Sequence, residues 1–124
     1  MSLEIWRWPN VSADRWGPYG WKWLHKLAIK YPTCPSMYDV NYAYYRIINF
    51  IENLPCNICK NHAEQYIEHN PLTLNSSQEL QEWVWEFHNA VNFRLGKKLI
   101  SFERYQYNYA YDLIWTGLMR PFTS

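Results

Sequence analysis

No run of apolar residues in this sequence approaches the roughly 20 that a helix needs to cross a bilayer, so nothing in it reads as a membrane span. Basic runs are missing too. With 12 basic and 11 acidic residues and a formal net charge of +1, nucleic acid is excluded as the main partner. Three cysteines are too few for a small secreted fold stapled by disulfides, which would show more of them at wider spacings. The fold must therefore hold by packing. The opening, Met1 to Val11, is too polar and Trp-rich for a secretory signal, so the sequence places the chain in the compartment where it is made. Convincing strands are also scarce. Tyr105, Tyr107, Tyr109 and Tyr111 alternate, but no second strand is there to pair with them, and Phe102, Tyr105, Tyr109 and Leu113 fit a helix.

Aromatic rings, by contrast, are abundant: eight Trp and eleven Tyr in 124 residues, a length that suits one domain. So many rings need one another or a flat ligand as partners, and most of them read as a core built from large rings. Residues 1 to 15 show no periodicity and read as an irregular arm. Gly17-Pro18 reads as a turn, and Trp21, Leu24, His25 and Ala28 then fall on one face of a first helix that Tyr31-Pro32 ends. A second helix, from about Asp39 to Asn53, presents Tyr44, Ile47, Ile48 and Ile51 inward. A third opens with the CxxC, with Pro55 suited to its first turn, and runs to about His69, with Cys59, Ala63, Tyr66 and Ile67 inward. Ser76 with Glu79 predicts a capping box for a fourth helix that Gly96 ends. Ser101 predicts the cap of a short fifth. The expected fold class is all-α, a four-helix bundle with a short fifth C-terminal helix.

Chemistry concentrates at Cys56-Asn57-Ile58-Cys59, a CxxC at the start of the third helix. Unpaired N–H groups at such a terminus lower the pKa of a nearby thiol, and thiolate is the reactive form. A thioredoxin-like setting would need a strand before the motif, and covalent haem attachment a His in place of Lys60. A zinc site could draw on Cys56, Cys59 and His62, with His25, His69 or His88 as a fourth ligand. Against it, His62 also reads as an ordinary exposed helix histidine. On the fourth helix Trp85, His88, Asn92 and Leu95 form one stripe beside Leu80, Val84, Phe87 and Val91. Buried His and Asn are costly unless their hydrogen bonds are met. Trp21 and His25 repeat the combination on the first helix, and together these groups describe a slot for a flat polar ligand beside the CxxC. A non-catalytic interaction module with an aromatic binding face is the remaining alternative.

The stretches Trp16-Gly17-Pro18-Tyr19-Gly20-Trp21-Lys22-Trp23-Leu24-His25, Leu54-Pro55-Cys56-Asn57-Ile58-Cys59 and His88-Asn89-Ala90-Val91-Asn92-Phe93-Arg94-Leu95-Gly96-Lys97 resemble the Erv/ALR sulfhydryl oxidases in order and spacing, over about Trp16 to Tyr109. Small size and the W-G-P opening are most similar to the versions carried by large cytoplasmic DNA viruses. The resemblance implies an oxidase domain over residues 16–118, a tail over 119–124, and FAD held non-covalently in the bundle. Gly17, Trp21, His25, Cys59, His88, Asn89, Asn92, Leu95 and Lys97 match cofactor-lining positions; Trp85 and Tyr105 join them by position. Lys97, with Lys98, suits the pyrophosphate. Cys59 is then the thiol next to the flavin and Cys56 the one that meets substrate, a dithiol protein whose electrons pass to O2 as hydrogen peroxide. Larger relatives carry a shuttle cysteine pair and a structural disulfide that this sequence lacks, which favours a small thioredoxin-like carrier as substrate. The resemblance further implies a homodimer, and a viral origin would put the enzyme in the host cytoplasm or the virion. Cys34 is left as a free loop thiol or an intersubunit disulfide partner.

Overall fold

The computed structural model describes the backbone of residues 13–115 and the side chains of residues 16–109. Five helices follow one another: α1 (Ala13–Lys30), α2 (Met37–Glu52), α3 (Asn57–His69), α4 (Ser77–Arg94) and α5 (Phe102–Trp115). Among the described residues there is no strand, so the all-α expectation holds and the tyrosine alternation belongs to a helix. Helix α1 packs on α4 and α5, α2 on α3, and α4 on α5. Leu24, Ile47, Ile51, Leu80 and Val84 lose all or nearly all solvent contact where these helices meet. Truncating any of these leucines or isoleucines to alanine would cost about 2–5 kcal/mol through lost transfer energy and the cavity left behind.

The N-terminal boundary differs from expectation. Pro18 lies inside α1, not in a turn, and the helix is already formed at Ala13. A proline there forfeits one backbone hydrogen bond, and burial of Leu24 and Ala28 farther along the helix works against that loss. The expected irregular arm otherwise falls on residues 1–12, and the expected tail on 119–124, both outside the described residues.

Helix α2 starts from a full capping box: the Asp39 N–H donates to Ser36 Oγ (3.1 Å) and the Ser36 N–H to Asp39 Oδ2 (2.9 Å). Its buried face is Ala43, Ile47, Phe50 and Ile51. Tyr44, expected inward, is 52% exposed. The stripe is narrow because α2 meets chiefly α3, and a ring one position off it falls outside the contact.

Pro55 lies just ahead of α3, with Cys56 as N-cap. Cys56 takes extended φ/ψ (−116°, 116°), which the residue after a proline can adopt freely, and its sulfur supplies the acceptor that the first turn lacks. At α4 only half of the expected box forms: the Glu79 N–H donates to Ser76 Oγ at 3.1 Å, while Glu79 Oε2 is buried without a hydrogen-bond partner among the described residues. The helix ends as a Schellman turn. Gly96 takes φ 70°, and the N–H groups of Gly96 and Lys97 donate to the carbonyls of Phe93 (3.2 Å) and Asn92 (2.8 Å). Ser101 Oγ accepts from the Arg104 N–H at 3.1 Å and caps α5 as expected.

Candidate active site

The two thiols of the CxxC share the first turn of α3 but not the same surroundings. The Cys59 N–H donates to Cys56 Sγ at 3.2 Å. A hydrogen bond from the Cys59 thiol, with backbone N–H groups of Cys59 and Ile58, favours the Cys56 thiolate and pulls its pKa below the ordinary thiol value. At Cys59 burial dominates and pushes the thiol up, reinforced by its interactions with Cys56; the positive charge of Arg94 works the other way. The helix terminus thus activates Cys56, because the Cys56 sulfur occupies the cap.

Cys59 opens onto a cavity of about 1100 Å³. Gly17, Pro18 and Trp21 of α1 form one wall, Ala63 and Tyr66 of α3 a second, and Phe87, His88 and Asn92 of α4 the floor between them. Arg94, Lys97 and Lys98 make part of the lining basic. Cys56 is not part of the lining.

Trp21 and His88 do not face each other across a slot. They stack directly, centroids 3.8 Å apart and planes 7° from parallel, and form a single wall. Behind them lies His25, wholly buried, with Nε2 2.8 Å from His88 Nδ1. One proton serves that contact. His25 Nδ1 has no partner among the described residues, and a buried bare lone pair costs less than a buried orphan N–H. The favoured tautomer therefore has His25 Nε2–H donating, which leaves His88 Nε2–H as a donor for the cavity. Desolvation, then the charge of His88, lowers the His25 pKa to about 2; desolvation, then Lys97, lowers His88 to about 4. Both rings are neutral at physiological pH. Tyr109 stacks on His25 at 4.1 Å and Tyr105 packs beside it at 4.6 Å.

Of the residues singled out in the sequence, Gly17, Trp21, Cys59, His88, Asn92, Leu95 and Lys97 line the cavity. His25 and Tyr105 stand one layer back. Trp85 and Asn89 have another task. The Trp85 Nε1–H and the Asn89 Nδ2 donate to the Ile100 carbonyl (2.6 and 2.7 Å), and the Ile100 N–H donates to Asn89 Oδ1 (2.9 Å). With Asn92 Nδ2 on the Lys98 carbonyl at 3.4 Å, they lash to α4 the 95–101 loop, whose Leu95, Lys97, Lys98 and Ile100 line the cavity. Sequence reasoning missed Arg94 and Tyr109, since an exposed helical Arg and one Tyr among many carry no periodic signal. His62 is exposed, and among the described residues no group of three or more His, Cys, Asp or Glu is placed to hold a metal ion, so the zinc reading fails.

Residues 18–111 match the Erv1/Alr family. The chain belongs to that family. It is 45% identical over 101 residues to an FAD-linked sulfhydryl oxidase of African swine fever virus (isolate Pig/Kenya/KEN-50/1950), covering 82% of this chain and 85% of that protein. It is 34% identical over 96 residues to a probable FAD-linked sulfhydryl oxidase of Acanthamoeba polyphaga mimivirus, covering 74% and 66%. Among solved structures the yeast Erv1 core superposes with a TM-score of 0.76 at 27% identity, covering 87% of this chain and 92% of that one. The FAD binding domain of Saccharomyces cerevisiae Erv1 also gives 0.76, at 28% identity, covering 81% and 95%. The CxxC, the Trp21–His88 wall and the lashed loop all fall within the residues matched to the Erv1/Alr family.

Proposed function

We propose that this chain is an FAD-dependent sulfhydryl oxidase that forms disulfides in a dithiol protein through a Cys56–Cys59 redox disulfide and delivers the electrons to O2 as hydrogen peroxide. The observation that carries the reading is the division of labour in the CxxC: Cys59 lines the large cavity, and its partner Cys56 lies outside the lining and partly exposed.

The residues present fit FAD. The cavity is of the size a large cofactor needs. Its aromatic wall suits a flat ring system, and Arg94, Lys97 and Lys98 suit a pyrophosphate. A Cβ built at Gly17 meets no protein atom within 4 Å, so that wall is shaped around space rather than around side chains. Trp21, His88, Asn92, Leu95 and Lys97 would hold the cofactor, with His25 and Tyr105 setting the orientation of His88 and with Trp85 and Asn89 setting the loop. Bound flavin supplies an acceptor for the electron pair on Cys59 and a route to O2.

The protein's own steps are thiol exchange. A substrate thiolate attacks Cys56 Sγ, the Cys56–Cys59 bond breaks, and the electron pair leaves on Cys59. The second substrate thiolate attacks its partner sulfur, closing the substrate disulfide and releasing Cys56 as a thiolate, which the first turn of α3 stabilises. Burial keeps Cys59 away from bulk thiols and next to the cavity.

The substrate is a dithiol protein, a small thioredoxin-like carrier able to reach Cys56 directly. The chain works as a homodimer. Among the described residues no helix is long and apolar enough to cross a membrane, and we place the enzyme in the host cytoplasm or virion. An oxygen electrode with a reduced carrier protein tests the assignment: Cys56→Ser should abolish oxygen uptake while Cys34→Ser, an exposed loop position, leaves it intact. Uptake that survives Cys56→Ser would refute it.

A further inference from the structure

Cys56 is half-buried, and its neighbours in sequence set the surface that a substrate meets around it. Pro55, Asn57 and Ile58 are all exposed, and none of them lines the cavity onto which Cys59 opens. From Asn53 to Cys59 no residue is acidic or basic. Ile58, the second residue of α3, keeps 66% of its surface in water. A single exposed isoleucine is ordinary on a protein surface; one set between the two cysteines of a redox pair stands where every substrate must come. We propose that Ile58 is a specificity-determining residue, an apolar contact for the stretch of dithiol protein around the cysteine that attacks Cys56, and that it selects substrates with an apolar residue next to that cysteine.

Reach follows from bond geometry. In a mixed disulfide the Cα atoms of the two bonded cysteines lie about 4.4–6.8 Å apart. Ile58 is two residues from Cys56, so their Cα atoms are at most about 7.6 Å apart. Substrate residues next to the attacking cysteine therefore come within side-chain range of Ile58 at the step where the mixed disulfide forms. Cys59, whose N–H donates to Cys56 Sγ at 3.2 Å, occupies the side of Cys56 that leads to the cavity. The exposed side, with Pro55, Asn57 and Ile58, is left for the substrate.

The chemistry of the contact is set by what this stretch offers. It holds no charge with which to select a partner by an ion pair. Water released from Ile58 when an apolar side chain covers it is the available gain. Removing on the order of 50 Å² of apolar surface from water is worth somewhat under tenfold in a rate or an affinity.

The proposal rests on the oxidase reading, which gives Cys56 to the substrate, but its test needs neither oxygen nor flavin reduction. Full-length protein carrying Cys34→Ser and Cys59→Ala keeps Cys56 as its one thiol. The probe is a peptide whose single cysteine is capped as a disulfide with pyridine-2-thiol. Cys56 thiolate attacks the peptide sulfur, the Cys56–peptide disulfide forms, the bond to the pyridyl sulfur breaks, and the electron pair leaves as pyridine-2-thione, whose absorbance gives the rate. Two peptides are compared, one with leucine and one with serine on both sides of the cysteine. The leucine peptide should react about three- to tenfold faster. Adding Ile58→Asn should bring the ratio of rates near one, and Ile58→Val should keep most of it. Both peptides meet the same thiol, so any change in Cys56 itself cancels from the ratio. Ile58 is exposed, so the variants should fold, and circular dichroism checks that they do. A ratio near one with Ile58 in place overturns the proposal, as does a ratio that Ile58→Asn leaves unchanged. The oxidase reading fails on a different result, the absence of oxygen uptake by the wild-type protein with a dithiol.

Discussion

Lowering the pH from 7 to 5 loads protons onto unfolded chains that the folded protein refuses at His25 and His88. Their folded pKa values are depressed from 6.5 to about 2 and about 4, chiefly by desolvation. A depressed value means stability is complete above 6.5 and falls as the pH drops toward the folded values, since only the unfolded state binds the proton in that window. Each pH unit below 6.5 then costs about 1.4 kcal/mol per histidine. By pH 5 the two together cost about 4 kcal/mol, a large share of the 5–15 kcal/mol typical of a domain. Urea unfolding, followed by tryptophan fluorescence with excess FAD at every pH, measures it. With a slope of about 2 kcal/mol per molar, the midpoint at pH 5 should lie about 2 M below that at pH 7. A variant carrying His25→Gln and His88→Gln should be less stable at pH 7 but lose little more on acidification. A wild-type midpoint that does not move between pH 7 and pH 5 would refute the claim that the pair is buried and neutral.

Three further outcomes follow from particular contacts. Asn89→Ala removes both hydrogen bonds to Ile100 and should cost about 1–3 kcal/mol in urea unfolding, with a faster flavin off-rate because the 95–101 loop is loosened. Gly96→Ala meets no protein atom at the new Cβ but must keep φ near 70°; it should cost about 1 kcal/mol, read as a shift in thermal midpoint. Trp21→Ala removes the ring stacked on His88 and should weaken flavin binding about two- to tenfold by fluorescence titration, the worth of one lost stacking contact.

The sequence was most legible where helical period and capping chemistry agree. The face of α1 through Leu24, His25 and Ala28, the Ser76 cap and the Gly96 stop of α4, and the Ser101 cap of α5 all read directly because each rests on local geometry. Tyr44 misled because amphipathic period alone does not say how wide a contact the neighbouring helix makes. Pro55 misled for a related reason: proline suits a first turn, but a sulfur able to accept the orphan N–H makes Cys56 the cap and Asn57 the first helical residue. At the site, residue types marked the wall and the thiols, but not their division of tasks. That Trp21 lies on His88 rather than opposite it, and that Trp85 and Asn89 serve the Ile100 carbonyl, depend on where the 95–101 loop returns.

The most direct measurement of the central claim is the visible spectrum of the purified protein, recorded without oxygen before and after dithiothreitol. A flavin spectrum that bleaches on reduction and returns in air is the expected result. Cys59→Ser should keep the colour and lose the dithiol-driven bleaching. A folded protein that binds no flavin, or a Cys59→Ser variant that bleaches as fast as wild type, would contradict it.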